Sequence, residues 1–159
     1  MHKHPPTWIE VSKSALEHNV RTMRGLIRPE TKLLAIVKSN AYGHGLVPTA
    51  KIFVKAGVDW LGVFAIEEGI ELRKGVRAPI LVLGPTSAED FKTALRYKLR
   101  ITISDRSVLQ YVPKKLPIHI KIDTGLSRQG VPMERVQEFF GAIPAGLNIE
   151  GIYSHLADP

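Results

Sequence analysis

Short apolar runs alternate with amphipathic stretches along most of the chain. The runs are rich in β-branched residues and are continuously apolar or nearly so, as is typical of parallel strands buried on both faces. We predict strands at residues 7–11, 33–37, 60–64, 79–83, 100–103, 118–122 and 147–153.

The segments between these runs carry apolar residues at three-to-four spacing, which predicts helices. Ser12 or Ser14 caps the first helix, and Arg28-Pro29 ends it. Its apolar positions are Leu16, Val20, Met23 and Ile27. Later helices are predicted at residues 47–56, 66–73, 88–97, 106–111 and 134–140.

This repeated strand–helix unit predicts an α/β fold. The pattern alone leaves two architectures open, a (β/α) barrel and a doubly wound sheet. No internal sequence repeat, low-complexity segment or linker interrupts the chain. We therefore expect one domain.

The composition argues against a membrane-spanning, a secreted and a metal-binding protein. The chain has 159 residues, 44% of them hydrophobic, which is enough for one domain with a core. No apolar run reaches the roughly 20 residues of a membrane-spanning helix, and the N-terminus lacks the apolar stretch of a secretory signal. There are no cysteines, and the six histidines show no metal-ligand spacing. We expect a cytoplasmic protein with no metal site.

The net charge of +7 raises the possibility of nucleic-acid binding. However, Lys and Arg are scattered, and no basic run is longer than Lys114-Lys115. No basic stripe interleaved with aromatic residues is present. We therefore expect no nucleic-acid partner and interpret the charge as a solvated basic surface that also steers anionic ligands such as a phosphate ester.

Candidate chemistry begins where the strand predicted at residues 33–37 gives way to Lys38. A lysine at such a junction lies between an apolar floor and a site, and a neutral amine is what Schiff-base chemistry with an aldehyde requires. Tyr42 follows, next to Gly43 and close to Gly45, in a turn that would let a phenol and the backbone meet a phosphate. From spacing alone, an ordinary surface lysine in a strand-to-helix loop remains the alternative.

Three segments carry a resemblance to a known family. Residues 35–45 read A-I-V-K-S-N-A-Y-G-H-G and resemble the pyridoxal-phosphate lysine motif of alanine racemases, with Ile36 and Ser39 as mild substitutions. Residues 121–130, K-I-D-T-G-L-S-R-Q-G, and residues 150–157, E-G-I-Y-S-H-L-A, resemble two further motifs of that family. The three occur in family order and span most of the chain.

The resemblance implies a fold. Alanine racemases have a TIM-like (β/α)8 barrel followed by a β-rich C-terminal domain. The sequence supplies roughly six barrel strands, whereas a closed barrel has eight. We expect residues 1–159 to form a single incomplete N-terminal barrel domain, with the C-terminal β domain absent. Lys38 follows one predicted strand, and residues 121–124 and Ser154-His155 stand at the ends of two others. Independently of the resemblance, the three motifs should therefore meet at one mouth of a barrel.

The resemblance also implies the roles of five residues. Lys38 binds the cofactor, pyridoxal 5'-phosphate, covalently and moves the Cα proton on one face of the substrate. Tyr42 hydrogen-bonds the cofactor phosphate, and His155 lies against the pyridine ring. Arg128 helps hold the substrate carboxylate. Lys121 matches a lysine that is carbamylated in many members, where the resulting anion positions the arginine.

Two neighbours of these residues carry further expectations. Asp123 is expected to brace the turn through Thr124-Gly125. Gln129 stands where the family usually has leucine, which is expected to alter packing beside Arg128. Without a counter-anion, Lys121 and Arg128 would form a like-charge pair, which is unfavourable if buried.

The implied function is racemisation of L-alanine to D-alanine, which supplies D-alanine for cell-wall peptidoglycan. The family's opposite-face base is a tyrosine in the C-terminal domain, contributed across a homodimer interface, so we expect the full-length parent to be a homodimer. Two alternatives stay open. One is a broad-spectrum or serine-type amino-acid racemase. The other is a non-catalytic pyridoxal-phosphate binding or homeostasis protein, which the A-Y-G-H-G continuation disfavours.

Overall fold

The computed structural model describes residues 7–158, which form an α/β structure around a parallel sheet. The strands are β1 Leu34–Ile36, β2 Trp60–Val63, β3 Ile80–Pro85, β4 Arg100–Ile103, β5 Ile118–Asp123, β6 Val131–Pro132 and β7 Ile149–Tyr153. The α-helices are α1 Lys13–Leu26, α3 Leu46–Lys55, α4 Ile66–Arg73, α5 Phe91–Arg96 and α6 Val136–Gly141. Element α2, Lys38–Tyr42, contains a left-handed turn at residues 39–42.

The order of the strands distinguishes the two architectures left open by the sequence. Neighbours in the sheet follow chain order, β1-β2-β3-β4-β5, and β7 pairs with the far side of the sheet at β5, all in parallel. A doubly wound sheet reverses its order at a central strand, whereas a barrel adds each strand to the same side. The predicted barrel-type α/β fold with roughly six barrel strands is confirmed. The two-residue strand β6 pairs in parallel with the last two residues of β5.

The two faces of the sheet differ in burial because successive side chains of a strand point to opposite sides. The outer face packs against helices such as α4 and α5. Its side chains are fully buried and form the core, as in Leu61, Ile80, Ile101 and Ile118. We call the opposite side the lumen face, which carries Leu34, Trp60, Leu81, His119 and Gly151.

A polar cluster lies on the lumen face near the N-terminal ends of the strands. The Arg100 guanidinium donates to the Glu150 carboxylate at 2.8 Å and lies 5.0 Å from the Trp60 ring centroid. His119 Nε2 lies 3.4 Å from the same carboxylate, and its ring packs edge-on against Trp60. This cluster forms the floor beneath the candidate site.

Most predicted elements agree with the structure. The helix at residues 66–73 and the strand at residues 100–103 have the predicted bounds. Residues 106–111 form a 3-10 helix, and the helices predicted at 88–97 and 134–140 each begin with a 3-10 turn. Ser12 is the N-cap of α1, accepting a hydrogen bond from the Ala15 N–H at 3.2 Å.

The strand predicted at residues 7–11 is wrong, because these residues have no regular secondary structure. Trp8 and Ile9 are 68% and 76% exposed, and no strand within residues 7–158 pairs with the segment. A β-branched run becomes a strand only where a neighbour supplies the ladder of hydrogen bonds. Over the same residues, no helix combines the length and apolarity needed to cross a membrane.

Candidate active site

One cleft of about 700 Å³ runs along the lumen face, from Lys32 and Trp60 on the N-terminal side of the strands to Lys38 and His155 at their C-terminal ends. All five site residues predicted from the sequence line it, namely Lys38, Tyr42, Lys121, Arg128 and His155. They come from the ends of β1, β5 and β7, which parallel pairing brings to one edge of the sheet.

The segment after Lys38 has an unusual backbone. Residues 39–42 all have φ between 51° and 55°, so four consecutive non-glycine residues lie in the left-handed region. This conformation costs about 1–2 kcal/mol per residue for L-amino acids. Gly43 ends the turn at φ 92°, and the Asn40 side chain accepts from the Leu46 N–H at 2.7 Å, capping α3. Such backbone strain is concentrated at functional sites, where surrounding contacts hold it.

The turn directs the side chains of Lys38 and Tyr42 into the cleft. Lys38 is half-buried, and its Nζ lies 5.9 Å from the centroid of the Phe64 ring. Tyr42 is 63% exposed and lines the cleft. An amine and a phenol therefore face the same space. The neighbouring His44, to which no role was assigned, is exposed, and its Nδ1 lies 2.8 Å from the Ala41 carbonyl oxygen.

Lys121 is the most enclosed of the five residues, with 6% of its surface exposed. Its pKa lies below the ordinary lysine value, first because of burial and then because of the positive charge of Arg128. Lys38 lowers this pKa further, whereas Asp123 opposes the shift. No carboxylate within residues 7–158 lies within 4.0 Å of its Nζ. The site thus contains a buried amine among positive charges.

Tyr153 packs beside this amine. Its ring centroid lies 5.9 Å from Lys121 Nζ, and its hydroxyl lies 2.9 Å from Thr102 Oγ1. Because Thr102 donates its own proton to the Val82 carbonyl at 2.8 Å, Tyr153 is the donor to Thr102. Burial raises the pKa of the Tyr153 phenol, so it stays protonated in this bond.

The loop after β5 is braced by Asp123. Its Oδ1 accepts from the N–H groups of Gly125 and Ser127, both at 3.0 Å, as expected for a residue that braces this turn. The Ser127 bond is the largest cause of the lowered pKa of Asp123. Gly130 lies so close that a Cβ there would sit 2.5 Å from the Asp123 nitrogen. The loop that carries Arg128 is therefore fixed at both ends.

Hydrogen bonds join the second and third motifs directly. Thr124 Oγ1 lies 2.5 Å from Ser154 Oγ and donates to the His155 carbonyl at 3.4 Å. The side chains of His155 and Arg128 are exposed toward the cleft. The Gln129 side chain lines the same cleft, and its buried Nε2 has no hydrogen-bond partner within residues 7–158.

Three residues near the site were not identified from the sequence. Tyr153 lies inside the third motif but carried no assigned role. Phe64 follows β2 just as Lys38 follows β1. This equivalent position at the end of a neighbouring strand could have indicated from the sequence that Phe64 lies near Lys38. Glu68 is the third residue of α4, where an acidic side chain is typical of helix capping, but its bond to Ser39 is a tertiary contact.

Comparison with known proteins identifies the family. Residues 11–159 match the family model described as "Alanine racemase, N-terminal domain". An alanine racemase from Synechocystis sp. is 40% identical over 161 aligned residues, covering 94% of this chain and 43% of that protein. Another, from Methylacidiphilum infernorum, is 40% identical over 144 residues, covering 85% of this chain and 37% of that protein.

Comparison with solved structures identifies the same family. The alanine racemase of Clostridium difficile 630 in complex with cycloserine superposes with a TM-score of 0.89 at 34% identity, covering 97% of this chain and 45% of that one. The Bacillus anthracis alanine racemase with bound L-Ala-P gives a TM-score of 0.88 at 32% identity, covering 97% and 42%. The chain spans less than half the length of these relatives. It belongs to the alanine racemase N-terminal domain family.

Proposed function

We propose that this chain provides the cofactor-binding part of a pyridoxal-phosphate-dependent racemase that interconverts L- and D-alanine. The observation that carries the proposal is the convergence of Lys38, Tyr42, Lys121, Arg128 and His155 on one cleft. The relatives' name supports alanine as the substrate, and the structure of the Bacillus anthracis protein has bound L-Ala-P.

The residues of the cleft fit pyridoxal phosphate chemically. A half-buried amine suits an aldehyde, while a phenol beside the positive-φ backbone at Gly43 suits a phosphate. The cleft volume of about 700 Å³ falls in the usual range for small-molecule sites, about 300–1,000 Å³. When bound, the cofactor would supply the conjugated ring that delocalises the electron pair left at the substrate Cα.

Each side chain then has a task. Lys38 Nζ would hold the cofactor through its aldehyde carbon, and the same amine would take or return the proton at the substrate Cα on one face. The Tyr42 hydroxyl donates to the phosphate, and the His155 imidazole packs against the ring. The Arg128 guanidinium orients the substrate carboxylate, which its planar fork matches.

Lys121 has a separate role in the proposal, as the site of a carbamate. A buried amine with a lowered pKa is neutral more of the time, and only the neutral amine reacts with carbon dioxide. Its nitrogen bonds to the carbon of CO2, one C=O π bond opens onto oxygen, and the nitrogen loses a proton to solvent. The product is an anion, which compensates the nearby charge of Arg128.

The rest of the proposal concerns the longer parent protein. In it, residues 1–159 provide six barrel strands of one domain, and a C-terminal β domain supplies the opposite-face tyrosine across a homodimer interface. The parent protein is cytoplasmic and provides D-alanine for peptidoglycan. The relatives' greater length and shared name support this arrangement.

The test is covalent capture of the cofactor by the purified chain. Pyridoxal phosphate is added, borohydride fixes any attached cofactor, and peptide mass spectrometry locates it. We expect the label on Lys38, loss of the label in Lys38→Ala, and no change in Lys32→Ala, a control because Lys32 lines the same cleft. Label spread evenly over several lysines would contradict the proposal. Exchange of the D-alanine α-proton in heavy water then tests proton transfer by Lys38.

A further inference from the structure

The carboxylate of Glu68 joins two neighbouring βα loops. Its Oε1 accepts from the Ser39 N–H at 2.5 Å, directly after Lys38. Its Oε2 accepts from the N–H groups of Phe64 and Ala65, at 2.8 and 3.1 Å, between β2 and α4. One side chain therefore receives three backbone donors from two βα units, and Ser39 lies 29 residues before Glu68 in the chain.

These bonds differ from ordinary helix capping. In a capping box the third residue of a helix reaches back to the N-cap N–H of its own helix, which accounts for the Ala65 bond alone. The other oxygen of Glu68 leaves the helix and binds the first residue of the left-handed turn. The adjacent Glu67, in the same helical turn, is exposed and makes no side-chain hydrogen bond within residues 7–158.

We propose that Glu68 is a positioning residue for the cofactor lysine, an inference that rests on the proposed function. By holding the N–H of Ser39 and that of Phe64, the carboxylate fixes the backbone beside both partners of the Lys38–Phe64 contact. It thereby keeps Lys38 Nζ at 5.9 Å from the Phe64 ring centroid, facing the cleft.

The backbone at Ser39 explains why such a restraint is needed. Ser39 has φ 53°, a conformation that L-residues avoid, and three similar residues follow it. Hydrogen bonds to an ionised carboxylate are stronger than neutral ones, which suits a contact that must hold a strained turn. Without it, Ser39 is free to return to negative φ, and the direction of the Lys38 side chain changes with it.

The experiment compares Glu68→Gln with the matched control Glu67→Gln. The glutamine amide presents an NH2 group in place of one acceptor oxygen, so Ser39 or the Phe64–Ala65 pair faces a donor. Two signals are read by NMR in the cofactor-free chain: hydrogen exchange of the Ser39 amide, and the Overhauser contact between the Lys38 ε-methylene and the Phe64 ring. The rate of borohydride-fixed labelling at Lys38 is the third readout.

We expect Glu68→Gln to speed Ser39 exchange at least tenfold, to weaken the Lys38–Phe64 Overhauser contact and to slow labelling about tenfold, with Glu67→Gln like wild type. Glu68→Asp, which keeps the charge at the helix N-terminus but is one methylene shorter, is the second variant should glutamine prevent folding. Glu68→Asp is expected to show the same three changes as Glu68→Gln.

The proposal is overturned if the Overhauser contact and the labelling rate in the Glu68 variants equal those in Glu67→Gln, even where Ser39 exchange is faster. A wild-type chain that captures no cofactor at Lys38 would count against the proposed function instead. In that case the Overhauser contact in the cofactor-free chain still decides whether Glu68 positions Lys38.

Discussion

The ammonium of Lys121 lies 5.9 Å from the ring centroid of Tyr153, on the lumen face of the sheet. The tyrosine hydroxyl is fixed by Thr102, so the ring forms a rigid wall beside the amine. A cation–π contact compensates only part of the cost of enclosing a charge. This enclosure, together with the charge of Arg128, lowers the pKa of Lys121 and so favours the neutral amine that carbamate formation requires.

We predict that Lys121 forms a carbamate in bicarbonate buffer. A chain incubated with 13C-bicarbonate should give a carbamate signal by 13C NMR that is absent from Lys121→Arg, since a guanidinium stays charged. Because the pKa of Lys121 is lowered, the adduct should persist to lower pH than that of a surface lysine. Lys51→Arg, at an exposed position of α3, is the control and should keep the signal. An unchanged signal in Lys121→Arg would refute the assignment.

We predict that Gly130→Ala strongly destabilises the chain. The added Cβ would sit 2.5 Å from the Asp123 nitrogen and 2.8 Å from the Ile122 carbonyl carbon, and φ at this position is +143°. Backbone cannot move aside as a flexible side chain can, so we expect a loss of about 3 kcal/mol or more in the free energy of unfolding. Urea denaturation followed by circular dichroism measures it.

The control for this substitution is Gly141→Ala. Gly141 ends α6, and a Cβ there meets nothing within 4 Å. Alanine should leave stability unchanged or raise it slightly, because it restricts the unfolded chain. If both variants had the same stability, the close packing of Gly130 against the end of β5 would be wrong.

We predict that Asp59 stabilises the start of β1 through its charge. Its carboxylate accepts from the Leu33 N–H at 2.8 Å and pairs with Arg24. The Leu33 bond is the largest cause of its lowered pKa, followed by Arg24. Asp59→Asn keeps an acceptor for Leu33 but loses the charge. Because these groups are partly exposed, we expect a loss of only about 1 kcal/mol at pH 7.

The stability that Asp59 contributes should depend on pH. A carboxylate with a lowered folded pKa contributes stability above its ordinary value of 3.8 and loses it as pH falls through the folded pKa. The difference between wild type and Asp59→Asn in urea denaturation should therefore shrink as the pH falls below the ordinary value of 3.8. Glu30→Gln, at an exposed carboxylate in the turn between α1 and β1, is the control. A difference independent of pH would contradict a role for the charge.

The sequence predicted the barrel strands because each is a short apolar run between polar turns. It also predicted that the motifs meet, since each follows a strand and parallel strands end together. The left-handed turn at residues 39–42 was beyond prediction, because propensity assigns negative φ to Ser, Ala and Tyr. The contact between Glu68 and Ser39 was hidden for another reason: it joins two βα units that only the folded sheet brings together.

The last prediction concerns His119, in the floor of the cleft. Burial is the largest cause of its lowered pKa, the Arg100 charge lowers it further, and Glu150 opposes both. Between the folded pKa and the ordinary value of 6.5, the unfolded chain binds more protons than the folded one, so stability rises with pH across that window. Each unit of lowering corresponds to about 1.4 kcal/mol.

We expect the urea midpoint of the wild type to fall as pH drops from 7 to 5, and His119→Phe to flatten this dependence. Phenylalanine keeps the edge-on packing against Trp60, whose ring centroid lies 5.6 Å away, but has no proton to gain. His18→Gln, on the exposed side of α1, serves as the control and should retain the wild-type slope. The same slope in His119→Phe would mean that groups other than this imidazole govern stability in the window.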